Sequence, residues 1–187
     1  MKKLLITLLL SLPFMANAQK SLEGFWGLDF YSSSAAVKQI IKARTGKLPD
    51  ENSGPTAIGY KNCYFGGHKT YFVELMFNND KLYGGDIILT PERSDLLNVY
   101  NNIVASIATK YNAPHKENCY YSAVTQPEMQ YDFGTGAISA VWNIPSSAKS
   151  GASARITAMI ENNAIKISYR DAVIYEQVVT MNDQYDY

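Results

Sequence analysis

Residues 71–111, YFVELMFNNDKLYGGDIILTPERSDLLNVYNNIVASIATKY, change hydrophobic period once, and that change decides the fold class. Tyr71, Val73, Leu75 and Phe77 alternate with Phe72, Glu74 and Met76, the two-residue period of a strand. Asn78-Asn79-Asp80 turns the chain and Lys81 to Leu89 returns it, with a bulge expected at Gly84-Gly85. Beyond Thr90-Pro91-Glu92 the pattern becomes helical, with Leu96, Leu97, Tyr100, Ile103, Val104, Ile107 and Tyr111 on one stripe. Thr90, or alternatively Ser94, is the expected N-cap, and Asn112-Ala113-Pro114 ends the helix. A hairpin feeding an amphipathic helix predicts an α+β protein, with helices packed on antiparallel sheet.

The flanks repeat this grammar. Phe25 to Tyr31 is aromatic-rich and reads as a strand. A helix is expected near 33–45, capped by the serines at 32–34, striped by Val37, Ile40 and Ile41, and stopped at Gly46. Residues 47–57, rich in polar residues and proline, read as a loop. Ile58 to Phe65 reads as a strand turning at Gly66-Gly67 into the one already described. Downstream, strands are expected at 119–125, 137–144, 154–161 and 164–169, the last two joined at Asn162-Asn163. Ile156, Ala158 and Ile160 should face Ile165, Ile167 and Tyr169 across that turn. A short helix is expected around Ile174, Val178 and Met181. The order admits a tandem duplication of a helix-plus-three-strand unit, with halves at 19–89 and 90–187, or one domain over 19–187 without repeat ancestry.

Residues 1–18, MKKLLITLLLSLPFMANA, have the form of a secretory signal peptide. Lys2 and Lys3 precede the apolar run Leu4 to Met15, and Ala16-Asn17-Ala18 offers small residues for cleavage before Gln19. The run is too short for a mature membrane span, and no cysteine lies at the cleavage point to carry a lipid. Export to the periplasm or beyond the cell is the expectation. A formal net charge of +0, without basic clusters, argues against nucleic acid as a partner.

The two cysteines occupy similar words, Asn62-Cys63-Tyr64 and Asn118-Cys119-Tyr120. In an oxidising compartment a Cys63–Cys119 disulfide is expected. His68 and His115, the only histidines, leave a Cys63, His68, His115, Cys119 zinc site and two free thiols as the alternatives. No G-x-S-x-G elbow, phosphate loop, H-E-x-x-H helix or dinucleotide fingerprint occurs, so no catalytic residue and no cofactor is assigned. The aromatics remain. Trp26, Tyr64, Phe72, Tyr121 and Trp142 are the candidate binding surface, suited to an envelope or extracellular protein, or to stacking on a glycan. A hydrolase is the third reading, and it would need His68 or His115 to meet carboxylates in a pocket.

Gly27-Leu28-Asp29-Phe30 leading into Ser33-Ser34 and Val37, together with the hairpin word Phe77-Asn78-Asn79-Asp80-Lys81-Leu82, gives the chain a further likeness. It resembles the β-lactamase inhibitor protein and the SmpA/OmlA (BamE-like) envelope proteins. The resemblance implies a helix followed by an antiparallel meander, twice over, and a role in binding another protein. It transfers no functional residue, and the missing lipoprotein cysteine sets the chain apart from the BamE-like proteins.

Overall fold

The computed structural model describes residues 21–112, 116–119, 138–145 and 153–183; for Lys116–Cys119 it describes the strand but not the side chains. The proposed signal peptide, Tyr121 and His115 lie outside the described residues. The architecture is α+β. Strands β1 (Gly24–Phe25) and β2 (Leu28–Asp29) precede helix α1 (Ser34–Thr45). Then come β3 (Ala57–Lys61), β4 (Tyr64–Phe65), β5 (His68–Lys69), β6 (Phe72–Asn78) and β7 (Lys81–Leu89). Helix α2 (Leu96–Tyr111) leads to β8 (Lys116–Cys119), β9 (Ile138–Pro145), β10 (Ser153–Glu161), β11 (Ala164–Arg170) and α3 (Ala172–Asp183).

One seven-stranded antiparallel sheet, in the order β3-β6-β7-β11-β10-β9-β8, carries the fold. The β3-β6-β7 and β9-β10-β11 meanders each follow a helix, and they join where β7 pairs antiparallel with β11. Odd-numbered positions of β6 face the core, as do the matching positions of β11, β10 and β9. Ile156 pairs with Tyr169, Ala158 with Ile167 and Ile160 with Ile165, the register read from the sequence. Val37 and Ile41 of α1 and Leu96, Tyr100, Ile103 and Ile107 of α2 belong to the same buried cluster as these strands.

Among the described residues, four two-residue turns close hairpins: Trp26-Gly27, Gly66-Gly67, Asn79-Asp80 and Asn162-Asn163. Every one of these residues has positive φ, as the tight turns matching strand twist require. Helix α1 starts at Ser33, whose Oγ accepts a hydrogen bond from the Ala36 amide, and stops at left-handed Gly46. The open edge of β3 is closed by the preceding loop. There the Asp50 amide donates to the Gly59 carbonyl, the Gly54 amide to the Ala57 carbonyl, and the Gly59 amide to Ser53 Oγ. An edge so occupied offers little template for strand addition.

Several expectations are corrected. Phe25 to Tyr31 is not one strand, because Trp26-Gly27 folds it into a hairpin. The strand from Ile58 breaks at left-handed Asn62, so Gly66-Gly67 closes a separate small hairpin, β4–β5. The bulge falls at Tyr83, where the partners of Met76 and Phe77 skip one residue, just before Gly84-Gly85. Neither Thr90 nor Ser94 caps α2, which grows from a 3-10 turn at Arg93–Asp95. Ile40 and Tyr71, placed on buried stripes by spacing, are exposed.

Gly85 is a packing requirement. A Cβ there would strike the Phe25 ring and the Glu74 carbonyl, whereas one on Gly54 would meet nothing. Gly85→Ala is expected to lower unfolding stability by about 1–3 kcal/mol, against about 0.5 kcal/mol or less for Gly54→Ala. Urea denaturation of the two variants beside the parent tests this; equal, small effects would contradict the close packing of β1 on β7.

Candidate functional site

The β4–β5 hairpin and the β1–β2 hairpin stand beside α2, and the space between them is the main concavity. At its centre is a cavity of about 330 Å³. The hairpin supplies Phe65, Gly66 and His68; α2 supplies Asn102, Ser106 and Lys110; Ile103, Ile107 and Tyr169 contribute apolar surface. Toward the start of α2, His68 also borders a cleft of about 670 Å³ that reaches Tyr71, Pro91, Asp95 and Val99. Toward its end, Lys110 and Tyr111 also border a cleft of about 520 Å³ that runs along Trp26, Gly27 and Leu28. The three spaces follow one another along a 16-residue helix, about 24 Å long, with His68 between the first two and Lys110 and Tyr111 between the second and third.

The walls are held by specific contacts. Trp26 lies in the left-handed region, φ 53°, unusual for a bulky residue. Its indole Nε1 donates to the Tyr64 carbonyl at 3.1 Å, tying the two hairpins together. Arg44 donates to the Trp26 carbonyl at 2.7 Å and sets its guanidinium 5.9 Å from the indole centroid. Phe65 meets the Tyr169 ring edge-on at 6.4 Å, and Phe25 packs on Tyr169 at 5.2 Å. Lys110 Nζ rests 4.9 Å from the centroid of the Tyr111 ring, which positions its charge along the apolar wall. Burial, and then the neighbouring Tyr111, push the Tyr169 hydroxyl well above the ordinary tyrosine range.

The predicted aromatic surface does not form as a unit. Tyr64 is exposed, at 66%, and Trp26 is half-buried beside it. Phe72 lies on the opposite face of the sheet, its ring filling the space above Gly59. Trp142 is a correction: it is fully buried, with Nε1 donating to the Asn112 carbonyl. Its position alternates in phase with Ile138, Ala140 and Ile144, so the core claims it. Sequence reasoning missed Asn102, Ser106 and Lys110. They recur every four residues beside the Ile103, Ile107, Tyr111 stripe, a polar seam that helical periodicity displays.

Cys63 is a free, buried thiol rather than half of the expected disulfide. It follows β3 at one edge of the sheet, while Cys119 ends β8 at the other. Five strands lie between those edges, roughly 29 Å along the sheet at ~4.8 Å per step, whereas disulfide Cα atoms lie within ~7 Å. The same separation bears on the zinc alternative. Among the described residues, no three His, Cys, Asp or Glu side chains gather as a metal site. The hydroxyl of Tyr60 is buried without a hydrogen-bond partner among the described residues; burial, then the Cys63 thiol, push it up. His68 shares the larger cleft with Glu92 and Asp95 but forms no ion pair with them. Among the described residues, no helix is long and apolar enough to cross a membrane.

The strongest buried charges lie on the far face. Asp86 of β7 meets Lys166 at 2.9 Å and Arg170 at 2.7 Å, both on β11. Burial alone would raise the Asp86 carboxyl, but the charge of Arg170 and hydrogen bonds from Lys166, Arg170 and Ser168 outweigh it and hold it low. Arg170 also donates to the Gly85 and Tyr169 carbonyls. With every partner on the sheet itself, this cluster reads as a clasp between β7 and β11.

Compared with models of protein families, with curated proteins and with solved structures, the chain matches none.

Burial pushes the Cys63 thiol above its ordinary range, which leaves little reactive thiolate. Iodoacetamide without reductant is expected to spare Cys63 in the folded protein and to modify it on unfolding in urea, as read by peptide mass. Failure to label after unfolding would restore the disulfide, and rapid native labelling would contradict the burial.

Proposed function

We propose that this is an exported, non-catalytic binding protein that holds a segment of another envelope or extracellular protein in the groove along α2. The alignment of these spaces along one helix carries the reading. Three adjoining spaces succeed one another along α2 past both hairpins, together long enough for several residues of a bound chain. The composition of the groove supports the same reading. Half-buried Phe65 offers apolar surface over a cavity floor of otherwise buried Ile103, Ile107 and Tyr169, while exposed Tyr71 and half-buried Trp26 stand along its length. Aromatic anchors beside polar rims are typical of protein interfaces. A glycan platform finds less support, since Trp142 is in the core and Arg44 sits against the Trp26 ring. Export rests on the residues at 1–18, and a binding role agrees with the architectural resemblance.

Two measurements test this reading. The protein recovered after export should begin at Gln19 by intact mass, and a chain retaining residues 1–18 would contradict export. A photo-crosslinker at Ser106, on the groove side of α2, should couple a partner in envelope extracts. The same group at Thr157, which takes the opposite side of β10 from core-facing Ile156 and Ala158, should not. Equal coupling at both positions would remove the groove as the docking site.

A further inference from the structure

The central cavity has a charge pattern of its own. Its lining holds one full cation, Lys110, with the His68 imidazole, the Asn102 amide and the Ser106 hydroxyl as further polar groups. No carboxylate lines it among the described residues; Glu23 and Asp29 line the neighbouring cleft past Lys110, and Glu92 and Asp95 the one past His68. The remainder of the wall is apolar: Phe65, Ile103, Ile107, Tyr111 and Tyr169. At about 330 Å³ it falls in the range of small-molecule sites, which bury an apolar body and orient it with few polar groups.

We propose that this cavity binds an amphipathic monocarboxylate, an apolar chain bearing one carboxylate, with the tail against Ile103, Ile107 and Phe65 and the head at Lys110. A single positioned ammonium with no opposing acid favours a single negative charge. The apolar remainder of the wall suits an apolar tail on that head, which inorganic phosphate lacks. Lys110 lies against the Tyr111 ring, so little side-chain freedom is lost when the head group arrives. The inference goes beyond the protein-partner reading, because the lining described belongs wholly to this chain and binding needs no second protein.

Calorimetric titration of the mature chain with decanoate, decanol and decylamine tests it. Decanoate is expected to saturate at one per chain, decanol to bind about tenfold more weakly or worse, as loss of one charge-assisted contact implies, and decylamine not to bind. Lys110→Gln should weaken decanoate about tenfold and leave decanol unchanged. Ser106→Trp, at an exposed helix position that borders the cavity, should block both, and its unchanged thermal unfolding would show that it folds. Absence of saturable decanoate binding, equal binding of decanol or decylamine, or indifference to Lys110→Gln would overturn the proposal. The acid and a bound segment would share the Phe65, Ile103 and Ile107 wall and so compete for it, but titration of the chain alone and crosslinking in extract without added acid read them separately.

Discussion

The pairing of β7 with β11 is the constraint on which the other features rest. Each strand ends a helix-led meander, and their pairing is what makes one sheet of the two. Joined, they form one surface with Ile87 beside Ile167 and Leu89 beside Ile165 at its centre. On the opposite face Asp86 reaches across to Lys166 and Arg170. Buried pairs of this kind recover their desolvation cost only when well supplied with hydrogen bonds. Arg170 also donates to the Gly85 and Tyr169 carbonyls, so its guanidinium ties β7 to β11 through the backbone as well as through charge.

The groove is a consequence of that join. His68 and Phe65 precede β7 in sequence, Asn102, Ser106 and Lys110 follow it, and Tyr169 lies on β11 itself. No segment of the chain holds both walls. Tyr169 sits where the halves meet, facing Phe25 and Phe65 from one and lining the cavity with residues of α2 from the other. Asp171, the next residue but one, accepts from the Val173 and Ile174 amides to start α3 and from the Tyr31 hydroxyl. Burial, then that hydrogen bond, raise Tyr31 to about 12. The start of α3 is thereby fastened to the N-terminal segment.

Local chemistry made much of this legible. Ser33 and Gly46 marked α1, the Asn79-Asp80 and Asn162-Asn163 turns marked hairpins, and strict alternation gave the β10–β11 register. The errors arose where one residue answers to two rules. Trp26 stands in a turn position that sterics favour for Asn or Gly, so its aromatic neighbours read as a strand. Trp142 was assigned to a surface by residue type, although its alternation with Ala140 and Ile144 already put it inside. Cys63 and Cys119 share a word but not a sheet position, since β8 adds a fourth strand to the second meander. The groove was least legible, because its walls meet only through pairing between distant strands.

Native-state hydrogen exchange across the sheet tests the join most directly. If the two meanders are one cooperative unit, the paired amides of β7 and β11 open together, with the free energy of global unfolding, while the β4–β5 hairpin opens at lower cost. Protection of β9–β11 persisting while β3, β6 and β7 exchange through a separate, cheaper opening would mean that the halves fold independently, and the seam could not be what holds the groove.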